Sequence, residues 1–276
     1  MSEEGIERFN RQDYAGAVEC FIEEMKEALE RGDYHEASTY ANLIGLSLYF
    51  EHYPREALEY FQMAVDYSKE AGASFDTIWK NMERTRELVE DIEREISRKK
   101  ALLEEMEEDT PDRGVLLSNL GVLYYLLGER DIAERYYTMA EEVFRKCGDP
   151  LALAAIYNNM GQLYDDMRSL DYHYRALDIL EREGHLRGQI DTYYSLAQYY
   201  WKSGEWDEAY HFLSKAIDII DRMERSGEDA SSRYVELLRT AADLALRAGK
   251  TDDALALTER IARCSREGDD GGETTS

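Results

Sequence analysis

The five histidines, His35, His52, His173, His185 and His211, are the side chains best suited by type to proton transfer or metal ligation near neutral pH. None has a second histidine at helical spacing and none neighbours a cysteine. Neither a metal-ligand pair nor a nucleophile with its base is therefore written in the chain. Cys20, Cys147 and Cys264 are far apart and odd in number, which suits reduced thiols in a cytoplasmic protein better than disulfides or a zinc site. Asp165-Asp166 could hold a cation or share a proton, although adjacent acids on a short polar turn are ordinarily just solvated. With no phosphate-binding loop and no dinucleotide-binding glycine pattern, the chain reads as a non-enzyme without cofactor or metal.

The elements that carry these residues are announced by a ladder of alanines. Ala17, Ala57, Ala133, Ala209 and Ala254 follow one another at steps of 40, 76, 76 and 45, and 76 is twice 38. A period of this length means one supersecondary unit copied and stacked, each copy too small to bury its own apolar face. Hydrophobic residues at 43% supply a continuous core, and charged residues at 33% fit a long helical surface. Pro54, Pro111 and Pro150 each sit where a helix would start.

The formal charge of −26, from 59 acidic against 33 basic residues, repels phosphate backbones and anionic lipid. It disfavours nucleic acid and suits a basic protein or peptide. The acidic opening MSEEGIERFN does not read as a signal peptide, and the longest apolar stretch, 115–127, is interrupted by Ser118 and Asn119, so no membrane segment is expected.

In the clearest unit, Leu120-Gly121-Val122-Leu123-Tyr124 is followed by Gly128, Ala133, Tyr137 and Ala140. A second unit reads Leu196-Ala197-Gln198-Tyr199-Tyr200, then Gly204, Trp206, Ala209, Leu213 and Ala216. Ile44-Gly45 with Ala57, Phe61 and Ala64 makes a third, and Met160-Gly161-Gln162-Leu163-Tyr164 opens a fourth. This pattern resembles the tetratricopeptide repeat family, in its longer-period branch found in kinesin light chains, polarity adaptors and bacterial peptide-sensing regulators. The resemblance implies an all-α, right-handed superhelical solenoid of antiparallel helix pairs over residues 1–266. Its repeats fall near 1–31, 33–72, 75–108, 112–147, 150–183, 186–225 and 229–266, ahead of a disordered tail at 267–276. The first repeat has only a stub of its first helix, and the last has lost its aromatics as capping units do.

Two places depart from the pattern. Tyr164 to Ala176 spans 12 residues where Tyr124 to Ala140 and Tyr200 to Ala216 span 16, which locates a shortened turn at residues 165–169. In the 75–108 slot, Phe75, Ile78, Met82, Thr85, Val89, Ile92, Ile96, Lys99, Leu103 and Met106 keep a coiled-coil spacing of three and four. A hairpin turning near Glu90-Asp91 would fit the slot. No Gly, Pro, Asn or Ser lies between Asn81 and Ser97 to make that turn, which favours one long helix. Its seam would need cover from neighbouring repeats or a second chain.

In the family the residue before the small-residue pair of the first helix lines a concave wall. Here it reads Asn81, Asn119 and Asn159, then Ser195 and Thr240. A ladder of amides offers both donor and acceptor to the main chain of an extended peptide. Asn158, Gln162, Tyr194, Gln198 and Trp201 are expected on the same wall. A carboxylate clamp is absent, since Lys80 and Arg84 share one slot and Arg239 lies far away. The resemblance therefore implies an interaction scaffold that holds an extended peptide or partner helix in its groove. The alternatives are a ligand-sensing regulator that changes superhelical pitch, and a self-assembling oligomer joined through the 75–106 seam.

Overall fold

The computed structural model describes residues 3–106, 109–227 and 234–270, with side chains as far as residue 264. Its contacts gather into two compact units, Met1–Asp149 and Pro150–Ser276. The described residues form thirteen α-helices and no strand, and no helix among them is long and apolar enough to cross a membrane.

The first unit holds α1 (Glu3–Asn10), α2 (Tyr14–Glu30), α3 (Tyr34–Phe50), α4 (Pro54–Glu70), α5 (Asp76–Glu104), α6 (Pro111–Leu126) and α7 (Arg130–Cys147). Helices α1 and α2, α3 and α4, and α6 and α7 pack as hairpins, while α5 has no hairpin partner and packs against α4 and α6. The second unit is three hairpins: α8 (Pro150–Gly161) with α9 (Met167–Arg182), α10 (Leu186–Lys202) with α11 (Trp206–Arg225), and α12 (Val235–Arg247) with α13 (Thr251–Asp270). All three prolines open helices, where the missing N–H has no intrahelical partner to lose. The alanine ladder is buried throughout: Ala17, Ala57, Ala133 and Ala209 are fully enclosed and Ala254 is 3% exposed.

Three residues turn the α3–α4, α6–α7 and α10–α11 hairpins. The middle one is left-handed in each, at His52 (φ 65), Gly128 (φ 79) and Gly204 (φ 76). The N–H of the third then reaches back to a carbonyl near the helix end: Tyr53 to Leu48 at 2.8 Å, Glu129 to Tyr124 at 2.9 Å and Glu205 to Tyr200 at 2.9 Å. The same residue starts the next helix, so chain reversal and helix entry are one device.

Helix α5 is continuous from Asp76 to Glu104, as the missing breaker implied. Its seam is covered within the chain. Met82 packs with Ala57 and Phe61 of the α3–α4 hairpin, and Val89, Ile92 and Ile96 pack with Leu120 and Leu127 of α6 and its turn. A second chain is therefore not needed to cover these residues.

The hairpin turns on either side of α5 also meet. The His52 and Tyr125 rings lie 4.8 Å apart, and the Arg130 guanidinium sits 5.3 Å from the Tyr53 ring. Arg55 joins Glu93 of α5 and Glu129 of the second turn at 2.6 and 2.7 Å. A β-carbon on Gly128 would stand 2.7 Å from Tyr53 Cδ1 and 2.9 Å from the His52 carbonyl, so both the conformation and the contact require glycine.

Two sequence expectations are corrected here. The four residues missing between Tyr164 and Ala176 come out of the end of the first helix and not out of the turn: α8 has 12 residues against 16 in α6, and residues 162–166 make a longer connection than the three-residue turns. The last helix also runs on to Asp270, into the segment expected to be a tail; residues 271–276 lie outside the described residues.

Candidate binding face

The titratable residues singled out by type all have structural places. Asp166 caps α9 by accepting from the Arg168 N–H at 2.9 Å and also grips the Arg168 guanidinium at 2.8 Å, which holds its carboxyl below the usual range. Asp165 faces Lys202 at 3.6 Å, so the two acids do not work as a pair. His185 caps α10 through Nδ1, accepting from the Gly188 N–H at 3.1 Å, while His35 and His211 are exposed. The three cysteines are free, and no group of three or more potential metal ligands occurs among the described residues.

The expected wall residues divide into two kinds. Asn81 on α5 donates to Asn42 on α3 at 3.4 Å, and Asn158 belongs to a buried network. These two amides hold helices together. The side chains of Asn119, Asn159, Gln162 and Gln198 make no hydrogen bond among the described residues, Asn119 and Gln162 being exposed and the other two half-buried. On α10, Tyr194, Gln198 and Trp201 follow at i, i+4 and i+7 and so share one face. Both aromatics rest on the core of the second unit while keeping partial exposure. The Trp201 Nε1 is buried and donates to no acceptor among the described residues.

The Asn158 network has a fixed sense. The Thr192 hydroxyl donates to the Gly188 carbonyl at 2.8 Å, leaving its oxygen to accept from Asn158 Nδ2 at 2.8 Å. The Asn158 Oδ1 therefore faces His173 Nδ1 at 3.0 Å and can only accept, so Nδ1 carries a proton. Burial pushes the His173 pKa down to about 4.

His173 also explains the packing of its hairpin. A β-carbon on Gly45 would fall 2.6 Å from the Phe61 ring, one on Gly121 2.4 Å from the Tyr137 ring, and one on Gly161 2.6 Å from the His173 ring. In each hairpin a flat ring of the second helix lies on a bare α-carbon of the first. A second pair of rings stacks in two of these hairpins, Tyr124 on Tyr136 at 5.4 Å and Tyr164 on Tyr172 at 5.8 Å, and a like pair, Tyr200 on Phe212 at 5.5 Å, joins α10 to α11. The repeats are tetratricopeptide-like.

No family model and no curated protein matches this chain. Among solved structures it is similar to BtubC (BKLC) from P. vanneervenii, at a TM-score of 0.49 and 18% identity over 94% of this chain and 93% of that one. It is also similar to a Rap protein complexed with competence and sporulation factor, at 0.41 and 14% over 96% and 73%. A third is the apo form of the quorum sensor NprR from B. thuringiensis, at 0.41 and 12% over 96% and 67%.

Within these tetratricopeptide-like hairpins, the feature missed from sequence is His173 in the ring position. Its signal was present: Gly161 to His173 is 12 residues, the same four-residue deficit as Tyr164 to Ala176, against 16 from Gly121 to Tyr137.

Proposed function

We propose that this chain is a non-enzymatic interaction adaptor, and that the Pro150–Ser276 unit holds an extended segment of a partner protein against the exposed face of α8 and α10. The observation that carries this reading is the Tyr194, Gln198 and Trp201 stripe. Two aromatic anchors already packed on the core flank an amide with no partner among the described residues. Asn159 and Gln162 supply further unengaged amides on and just after α8. Each presents a donor and an acceptor, which is what an extended main chain needs. Asn158 is reassigned from this surface to packing. The excess of acid over base favours a partner segment with basic side chains.

Hydrogen exchange with a segment of a partner recovered by pull-down on the full chain tests the location. Protection concentrated on α8 and α10 is expected. Protection confined to the opposite helices, α9 and α11, would refute the assignment.

A further inference from the structure

A cleft of about 750 Å³ opens in the Pro150–Ser276 unit between the end of α9, the first half of α10 and the second half of α11. Leu186, Tyr193 and Ile219 give it an apolar floor, and Lys215, Arg222 and Arg225 line it from α11. The spacing of these three cations, at i, i+7 and i+10, spreads them over about 15 Å of helix at about 1.5 Å per residue.

None of the three makes an ion pair among the described residues. The Lys215 ammonium lies 5.6 and 5.5 Å from the ring centroids of Tyr193 and Phe212, and Arg225 Nε donates to the Asp221 carbonyl at 3.2 Å. In so acidic a chain this is unusual, and the reason is visible. Asp221, one helical turn before Arg225, is taken by Arg260 of α13 at 2.6 Å, which also takes Glu224 at 2.8 Å, so Asp218, one turn before Arg222, is the helical neighbour left to these cations. Of the two acids lining the cleft, Glu181 accepts from the Tyr193 hydroxyl at 3.2 Å, which leaves Asp218 as the acid without such a bond.

We propose that this cleft is a separate binding site for an acidic peptide segment laid along α11. A row of cations suits an elongated anion better than a compact one, because a single phosphate would need them to converge. An extended chain advances about 3.3 Å per residue, so four or five residues span the row. The remaining negative charge of the protein does not cancel this attraction, since at physiological salt its field decays over about 8 Å. The site shares no residue with the α8 and α10 face and stands or falls without it.

The test is fluorescence anisotropy of labelled hexaglutamate titrated with the full chain, with hexalysine, citrate and inorganic pyrophosphate as separate arms. Saturable binding of hexaglutamate is expected, weakened about tenfold or more in Arg222→Glu/Arg225→Glu and severalfold between 50 and 200 mM salt. Lys215→Ala should weaken it less, and Lys26→Glu, in the other unit, should leave it unchanged. Circular dichroism melts establish that each variant is folded. No saturable binding, or equal loss in Lys26→Glu, would overturn the proposal. So would pyrophosphate binding as tightly as hexaglutamate and displacing it, which would mark a compact-anion site instead.

Discussion

Asn158 Oδ1 lies 3.0 Å from His173 Nδ1, and through Thr192 at 2.8 Å the same amide ties α8, α9 and α10 into one body. The bond joins two residues whose types suggest function, yet it is structural: Asn158 is half-buried and His173 is 2% exposed, in the position that Tyr137 and Phe61 fill in other hairpins.

This placement gives His173 a measurable pH signature. Its pKa is about 4 in the folded chain against 6.5 for the free side chain, so the unfolded state binds the proton more tightly. The resulting stability is fully present above pH 6.5 and is lost as pH falls towards 4. Its size is on the order of 3 kcal/mol at about 1.36 kcal/mol per pKa unit. Denaturant melts of wild type and His173→Phe between pH 7 and 4 should show the difference between the two shrinking or reversing as acid is added. A pH-independent difference would mean that His173 is not held neutral by burial.

The turn contact across α5 predicts an asymmetry between two left-handed glycines. Gly72→Ala, at φ 66 with open space around the missing β-carbon, should cost only the backbone strain of about 1–2 kcal/mol. Gly128→Ala adds a collision with Tyr53 and the His52 carbonyl and should cost more, by about 1–3 kcal/mol. Equal losses in thermal melts would show that the two turns do not meet.

Continuity of α5 can be broken at its middle. Asp91 is exposed on an uninterrupted helix, so Asp91→Pro removes a backbone bond with little loss of side-chain packing and should destabilise by about 3 kcal/mol or more. Labels at Ile78 and Leu103 should read roughly 37 Å apart at about 1.5 Å per residue. A much shorter distance would indicate a hairpin.

The hairpins were legible because small residues and rings recur at fixed intervals, and interhelix distance is set by those two sizes alone. Helix α5 was legible because nothing in its middle can turn the chain. The roles of Asn81 and Asn158 were not, since sequence spacing places a residue on a helix but does not say whether a neighbour meets it. The Asn158 side chain is bonded, and that of Asn159, one residue on, has no hydrogen bond among the described residues. The meeting of His52 and Tyr53 with Tyr125 and Gly128 was equally hidden, because it depends on how α5 lies between two hairpins. The four-residue deficit is visible in the spacing, which suggests a shortened turn, whereas the structure takes it from α8.

The central claim is that unengaged amides on the α8 and α10 face bind a partner while bonded ones hold the fold. It is tested most directly by titrating the recovered partner segment against wild type, Asn159→Ala/Gln198→Ala and Asn158→Ala. Each binding amide is worth about 0.5–1.5 kcal/mol, so the double variant should bind severalfold or more weakly with an unchanged melting temperature. Asn158→Ala should instead melt several degrees lower, as loss of a buried partner costs about 1–3 kcal/mol. Unaltered affinity in the double variant, or a drop in its melting temperature as large as that of Asn158→Ala, would contradict the account.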